Sequence, residues 1–409
     1  MLDQYRAALR PPGVLAFSAA AFVMRFAIAM YPIGLVLLVS VRTGHYGFAG
    51  VLSGIYVFAN GIGNPVLGRL ADRFGQSRVL VPASAVHVAG VIAIIVLAET
   101  HAPDWSLIAP TIVCGFAYLA VGSLVRARWS YVLAGRPELV TGYSIESTLD
   151  EVIFTVGPLV TTVLATQVDP VWAFGLAAAL VGVGALWLQV QHATEPPAHP
   201  ADAPKHASAL RTPGMVLLTI AAGGMGAVFA SAEVSMIAFC GQRGHTALAG
   251  LPLACFAFGS ATAGFVYGAR RHLSDVVDRF RVQAMVFAVL PVLFVAAVNI
   301  PLVSVVAFFV GMGIAPLLIT SFGVIEKIVP GAALTEGMSW LTMGLSIGYG
   351  IAASLTGQIA DSHGARWAFL VSIGSGLLVG AVSFAVRARV PADPGRTRVG
   401  PSEDAALPR

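Results

Sequence analysis

Charge is what this sequence has least of: of 409 residues, 11% are Asp, Glu, Lys or Arg, while 57% are hydrophobic. With a mean hydropathy of +0.82 the chain cannot dress an ordinary surface for water, so its solvent is lipid. Lysine is almost missing, with Lys205 and Lys327 set against 22 arginines, a bias that hints at a GC-rich bacterial genome. Cysteine is nearly as scarce. Cys114, Cys240 and Cys255 stand apart in apolar stretches, without Cys-x-x-Cys spacing or a histidine cluster, which predicts neither a disulfide nor a metal site. The formal net charge of +4 gives no argument for nucleic acid. Also absent are a phosphate-cradling Gly-x-x-x-x-Gly-Lys loop and any soluble domain to hold one. These absences exclude a self-contained ATP-driven machine and leave an enzyme, or a bound cofactor, without support.

What is present is a succession of apolar runs of about 20 residues, the length that crosses a bilayer as a helix. They fall at 13–40, 46–70, 78–99, 107–128, 142–166 and 171–191, then at 213–240, 246–269, 282–299, 302–325, 335–360 and 365–388. The pattern predicts an all-α membrane protein of twelve transmembrane helices in two six-helix bundles, 1–191 and 213–390. The first run is too long for a signal-peptide core and lacks a cleavage site, so it is expected to stay as a span. Residues 192–212, rich in Pro, His and Ala, read as a flexible cytoplasmic linker, and residues 391–409 as a disordered tail.

With the N-terminus placed inside and sides alternating, 20 of the 24 Lys and Arg residues fall on the cytoplasmic side, Arg126 and Arg128 among them. Arg42, Arg243 and Arg366 fall outside, and Arg25 falls within the membrane. The positive-inside rule therefore predicts both termini in the cytoplasm of a bacterial inner membrane. A monomer is expected.

The two halves are related. Pro12-Gly13 and Met24 recur at an offset of 201 as Pro213-Gly214 and Met225, and Gly44-His45, Ala49-Gly50 and Gly68 recur at 200 as Gly244-His245, Ala249-Gly250 and Gly268. Gly142, Ser144 and Trp172-Ala173-Phe174 recur at 195 as Gly337, Ser339 and Trp367-Ala368-Phe369. An even number of spans per copy gives both copies the same orientation, related by an axis along the membrane normal.

Between the second and third spans lies the polar stretch Gly68-Arg69-Leu70-Ala71-Asp72-Arg73-Phe74-Gly75-Gln76-Ser77-Arg78. Its pattern Gly-x-x-x-Asp-Arg-x-Gly-x-x-Arg, with the twelve-span parallel repeat, resembles the signature loop of the major facilitator superfamily. The second copy, after Gly268, keeps arginines and loses the acid. The resemblance implies a rocker-switch transporter whose first, fourth, seventh and tenth spans line a cavity at the membrane midplane. It also implies that Asp72 meets the N-terminal end of the eleventh span near Thr335-Glu336-Gly337, where the helix dipole favours a carboxylate. Glu336 would repel Asp72 and attract Arg69 or Arg73. The stretch thus reads as a gate element comprising Gly68, Asp72, Arg73, Gly75 and Arg78, with Glu336 opposite.

Ionisable groups far from a helix end are expensive in lipid, so each is a functional candidate. These are Arg25, His87, Glu146, Asp150, Glu151 and Glu233. Arg25 sits roughly 18 Å into the first span and Asp150 and Glu151 roughly 12–14 Å into the fifth, at a rise of about 1.5 Å per residue. An Arg25–Asp150 or Arg25–Glu151 pair is expected, leaving one acid to carry a proton, because adjacent helical residues point about 100° apart. Glu233 is expected to face the cavity. His87 reads as a packing histidine, and Glu146, one turn below Asp150, as looking toward the cytoplasm.

Gly157-Pro158 in the fifth span resembles the helix-kinking pair of proton-coupled drug exporters, although the flanking glycines and that group's fourth-span arginine are missing. Met24, Tyr31, Tyr118, Phe229, Met312 and Trp340 supply a soft, aromatic lining suited to an amphipathic solute. The leading expectation is a proton-coupled exporter of small amphipathic molecules. Two alternatives stay open: an importer of a polar or anionic metabolite with Arg25 as its counter-ion, and a non-transporting sensor or scaffold.

Overall fold

In the computed structural model, residues 2–43, 46–198, 208–270, 272 and 274–390 are described. The expected tail at 391–409, the middle of the linker and Gly44-His45 lie outside them. The elements are α1 Leu2–Leu9, α2 Val14–Thr43, α3 Tyr46–Phe74, α4 Gln76–Glu99, α5 Ile108–Ala117, α6 Val121–Val132, α7 Leu139–Gln167 and α8 Pro170–Gln189. The second half comprises α9 Met215–Gly241, α10 Gly250–Gly268, α11 Val276–Val289, α12 Ile300–Gly311, α13 Ile314–Ile328, α14 Leu334–His363 and α15 Ala365–Arg389. No strand occurs among the described residues.

All twelve apolar runs are helical, and three are interrupted. The fourth bends at Tyr118 to Ala120 between α5 and α6, and the tenth at Met312-Gly313 between α12 and α13. The ninth tightens into a 3-10 turn over Leu290–Ala296, where Pro291 supplies no backbone donor. Among the described residues, ten segments are long and apolar enough to span a bilayer by length and composition alone. The other two, α3 and α14, are diluted with Gly, Asn and Ser, and they pack against each other. Exposed side chains such as Leu15, Phe58 and Val295 form an apolar outer surface, as a protein dissolved in acyl chains requires.

The duplication is visible in the packing. In the first bundle α2 lies against α8 and α7, α3 against α5, and α4 against α8; in the second α9 lies against α15 and α14, α10 against α12, and α11 against α15. Each bundle opens on a repeated Pro-Gly whose glycine adopts a left-handed conformation, φ 84° at Gly13 and 90° at Gly214. The bundles meet along two matching seams, α3 with α14 and α7 with α10, at the end of the molecule where the linker lies.

Both described ends of the linker are docked. Glu195 accepts hydrogen bonds from the Ser77 N–H at 2.9 Å and its hydroxyl at 3.2 Å, capping the start of α4. Arg128, fully buried, donates to Gln76 Oε1 at 2.8 Å, the Gln191 carbonyl at 2.9 Å and Thr194 Oγ1 at 3.0 Å. Arg128 is therefore an anchor inside the bundle, where the charge count expects a cytoplasmic arginine at the end of the fourth span. The helix containing it runs on to Val132, past the expected end at 128.

Candidate functional site

Arg25 is the twelfth residue of α2 and Asp150 the twelfth of α7, and both helices start at the linker end, so the two side chains meet at the same depth. Arg25 Nη1 donates to Asp150 Oδ1 at 2.5 Å, and Nη2 donates to Glu146 Oε2. Arg126, on α6, donates from Nη2 to the other Asp150 oxygen at 2.7 Å. Glu146 Oε1 also accepts from Ser18 Oγ at 2.6 Å and Trp129 Nε1 at 2.7 Å. The result is a quartet of two cations and two anions, with Arg25, Arg126 and Glu146 at 4%, 3% and 0% exposure. Removing one member of such a buried set leaves an uncompensated charge, at a cost of about 3–5 kcal/mol.

Two expectations need correction here. Glu146 does not look toward the cytoplasm: four residues before Asp150, it lies on the same helical face and shares Arg25 with it. Arg126, counted among the cytoplasmic arginines at the end of the fourth span, instead turns its guanidinium back into the bundle, 4.1 Å from the centre of the Phe322 ring on α13, across the bundle interface.

Glu151 stands outside the quartet. Its carboxylate accepts a hydrogen bond from Ser260 on α10, a helix of the other bundle, and makes no ion pair among the described residues. Glu233, on α9, accepts from Tyr349 OH at 2.8 Å. The structure thus brings Arg25 and Asp150 together and leaves Glu151 and Glu233 in separate places.

In the signature stretch, Asp72 accepts from the Thr335 N–H at 3.2 Å and the Glu336 N–H at 2.9 Å, at the start of α14. Arg69 Nε lies 3.4 Å from Glu336 Oε2, while Glu336 also accepts from Ser208 Oγ and from Trp340 Nε1 at 3.3 Å. Gly75 forms the one-residue turn into α4 with φ 94°. Arg73 lies over the Phe74 ring, 5.1 Å from its centre, and Arg78 is exposed. A methyl at Gly68 would sit 2.8 Å from Ser339 Oγ, so glycine sets the closeness of α3 and α14.

Several expected cavity residues lie elsewhere. Met24, Tyr31 and Tyr118 are buried in the first bundle at 0%, 0% and 1% exposure. Met24 packs against Gly184 on α8, while Tyr31 sits among Tyr56, His87, Tyr118 and Phe174. The physical reason is that soft and aromatic residues fill a helical core as readily as a cavity wall. Phe229, Met312 and Trp340 are half-buried. His87 is a packing residue whose Nδ1 lies 2.7 Å from the Cys114 carbonyl. α7 continues through Pro158, and Gly157 lets it approach α2 at Ala29.

Sequence reasoning about charges passed over Asn60. Its Nδ2 donates to the Tyr118 carbonyl at 2.8 Å and the Gly115 carbonyl at 3.3 Å, the groups released by the break between α5 and α6. The signal was an Asn at i and i+4, Asn60 and Asn64, inside an otherwise apolar span. Buried amides in a bilayer, like charges, need partners.

Two six-helix bundles arranged as parallel repeats, with ionisable side chains gathered in the membrane-embedded core, define a multi-pass membrane transporter. The sequence matches the family model "Major Facilitator Superfamily" over residues 16–285 and again over 246–408, so the chain belongs to that superfamily. No curated protein matches the sequence. Among solved structures, the fold is similar to a bacterial homologue of the iron transporter ferroportin in an outward-facing state, with TM-score 0.73 at 11% identity, covering 93% of this chain and 100% of that one. It is also similar to the transporter FucP in the outward conformation, with TM-score 0.69 at 14% identity over 94% and 100% of the two chains. The human organic anion transporter MFSD10 gives TM-score 0.67 at 14% identity, over 91% and 100%. At these identities the likeness is one of fold.

Proposed function

We propose that the chain is a proton-coupled secondary transporter that exports small amphipathic molecules from a bacterial cytoplasm by alternating access, as a monomer with both termini cytoplasmic. The observation that carries this reading is the charge balance around Arg25. Glu146 and Asp150 are committed to Arg25 and Arg126. That leaves Glu151 as a membrane-embedded acid with no cation paired to it among the described residues, held across the bundle interface by a hydrogen bond from Ser260. Separating α7 from α10 breaks that hydrogen bond and exposes the carboxyl to water on the linker side, where its proton can leave. Closing the seam and opening the other side restores the bond and resupplies the proton.

The geometry gives little support to an anionic substrate at Arg25. Its Nη1 and Nη2 are engaged by Asp150 and Glu146, and its Nε faces the Ala21 carbonyl at 3.3 Å. Export is supported by the Gly157-Pro158 pair, which resembles that of proton-coupled exporters.

The test is flux of a panel of charged and neutral amphipathic dyes in proteoliposomes with an imposed pH gradient. Glu151→Gln is expected to lower gradient-driven flux at least tenfold while downhill equilibration of dye persists. Full gradient-driven flux in Glu151→Gln would sink the coupling role. Flux in neither direction by folded parent protein would assign a sensor or scaffold role instead.

A further inference from the structure

The second bundle carries its own ionisable group, and its surroundings are unlike those of the quartet. Glu233 is the nineteenth residue of the 27-residue helix α9, well inside the span, and is only half-buried. A carboxylate at that depth cannot turn its exposed side to acyl chains without a cost of several kcal/mol. On that ground its open side is assigned to a water-accessible face of the second bundle. Tyr349, 38% exposed, fixes the carboxylate from α14 with a hydrogen bond of 2.8 Å. Among the described residues no Lys, Arg or His pairs with it.

Around the carboxylate are ring faces. Phe229, one turn earlier on α9, lies 6.3 Å centre to centre from Tyr349, tilted by 47°, and 5.5 Å from Phe256 of α10, edge-on at 75°. A fixed carboxylate beside divergent aromatic faces suits an organic cation, because ring faces and carboxylate carry negative potential of the same sense. In the opposite bundle the guanidiniums of Arg25 and Arg126 are neutralised by Glu146 and Asp150, and that of Arg128 is taken up by Gln76, Gln191 and Thr194 near the linker. With the quartet neutral, Glu151 and Glu233 are the acids left over from the membrane candidates singled out in the sequence.

We propose that Glu233, Tyr349 and Phe229 form a recognition site for amphipathic organic cations, bound by carboxylate pairing and ring contact on the second bundle. This rests on the transport reading for its role and deepens it by giving the sign of the substrate. Tyr349 is a positioning residue that holds the carboxylate, and Phe229 supplies apolar and cation–π contact.

The experiment uses two probes of nearly the same shape and opposite charge, tetraphenylphosphonium and tetraphenylborate, titrated onto purified full-length protein in lipid nanodiscs without any gradient. The expected result is saturable binding of the cation, weakened at least tenfold in Glu233→Gln, largely retained in Glu233→Asp, and weakened several-fold in Tyr349→Phe. Retention in Glu233→Asp separates loss of charge from loss of fold. Equal binding of both ions, unchanged cation binding in Glu233→Gln, or no cation binding by the parent would each overturn the proposal. Cation binding that needs Glu233 in a protein without proton-driven flux would leave this site standing and sink the transport reading. Proton-driven flux with cation binding indifferent to Glu233 would do the reverse.

Discussion

The two seams that close the linker end are copies of each other in geometry and opposites in chemistry. At the first, α3 meets α14, and Gly68 packs on Ser339; at the second, α10 meets α7, and Gly268 packs on Ser144. The contact is the same pair of residue types, displaced by 200 and 195 positions. Beyond it the first seam is ionic, with Asp72 on the N–H groups of Thr335 and Glu336 and Arg69 near the Glu336 carboxylate. Around its glycine contact the second has no such ion pair among the described residues: Thr141 Oγ1 donates to the Gly268 carbonyl and Ser144 Oγ to the Gly264 carbonyl, each at 2.6 Å, and its acid, Glu151, lies further along the seam on Ser260. There α1 adds Tyr5, whose ring stacks on Phe265 at 4.8 Å and whose hydroxyl donates to the Phe265 carbonyl at 2.9 Å. The difference teaches that the close glycine–hydroxyl approach sets the seam, and that either charge or a borrowed helix can secure it.

Perturbing the shared feature should have the largest effect, and an equal one on either side. Gly68→Leu and Gly268→Leu each force a side chain into a packed crossing, at about 1–3 kcal/mol, and should shift the closed state toward opening roughly 5- to 150-fold. The measure is alkylation of a Ser123→Cys reporter, with Cys114, Cys240 and Cys255 replaced. Ser123 is 1% exposed and faces Thr342 across the interface at 3.5 Å, so opening uncovers it. A strong effect at one glycine and none at the other would break the equivalence of the seams.

Next in size come the securing groups. Asp72→Asn removes a charged cap worth about 0.5–2 kcal/mol, and Tyr5→Ala removes a ring stack worth about 0.5–1.5 kcal/mol together with its hydrogen bond. Both should speed alkylation of the same reporter, by roughly 2- to 30-fold. The smallest effect is expected from salt. Raising ionic strength from about 0.1 M to 1 M shortens the screening length from about 10 Å to 3 Å, which should loosen the parent and the Tyr5→Ala protein but leave a protein with both Asp72→Asn and Arg69→Gln nearly indifferent. Equal salt sensitivity in that double variant would show that the first seam is not held by charge.

The twelve spans could be read from the chain because each is an apolar run bounded by turns, and the meeting of Asp72 with the start of α14 followed from family resemblance and the helix dipole. The break at Tyr118 could not be read the same way. The one at Met312 has a local cause in Pro316, which lacks the N–H that would bond the Met312 carbonyl, but the one at Tyr118 is supported by Asn60 from a helix more than 50 residues away, a tertiary partner invisible to local pattern. The quartet was half legible. Depth matches Arg25 to Asp150 or Glu151 without choosing between them, and Glu146 and Arg126 read as cytoplasmic because each lies near an expected span end, where the observed helices run longer. The spacing of Glu146 and Asp150 by four residues was the available clue. The aromatic lining was least legible, since Met24, Tyr31 and Tyr118 carry no mark that distinguishes a core from a cavity.

The quartet also imposes an order on synthesis. Arg25 lies in the second helix, α2, and so enters the bilayer ahead of Glu146 on α7, which follows 121 residues later. At about 5–20 residues per second, the guanidinium waits roughly 6–24 s for its acid, in an environment that disfavours an unpaired arginine by about 2.5–3.5 kcal/mol. Helix α2 is thus released with an unmet charge that the fifth span alone can satisfy. A nascent first bundle therefore reaches neutrality at this set only after α7 has arrived.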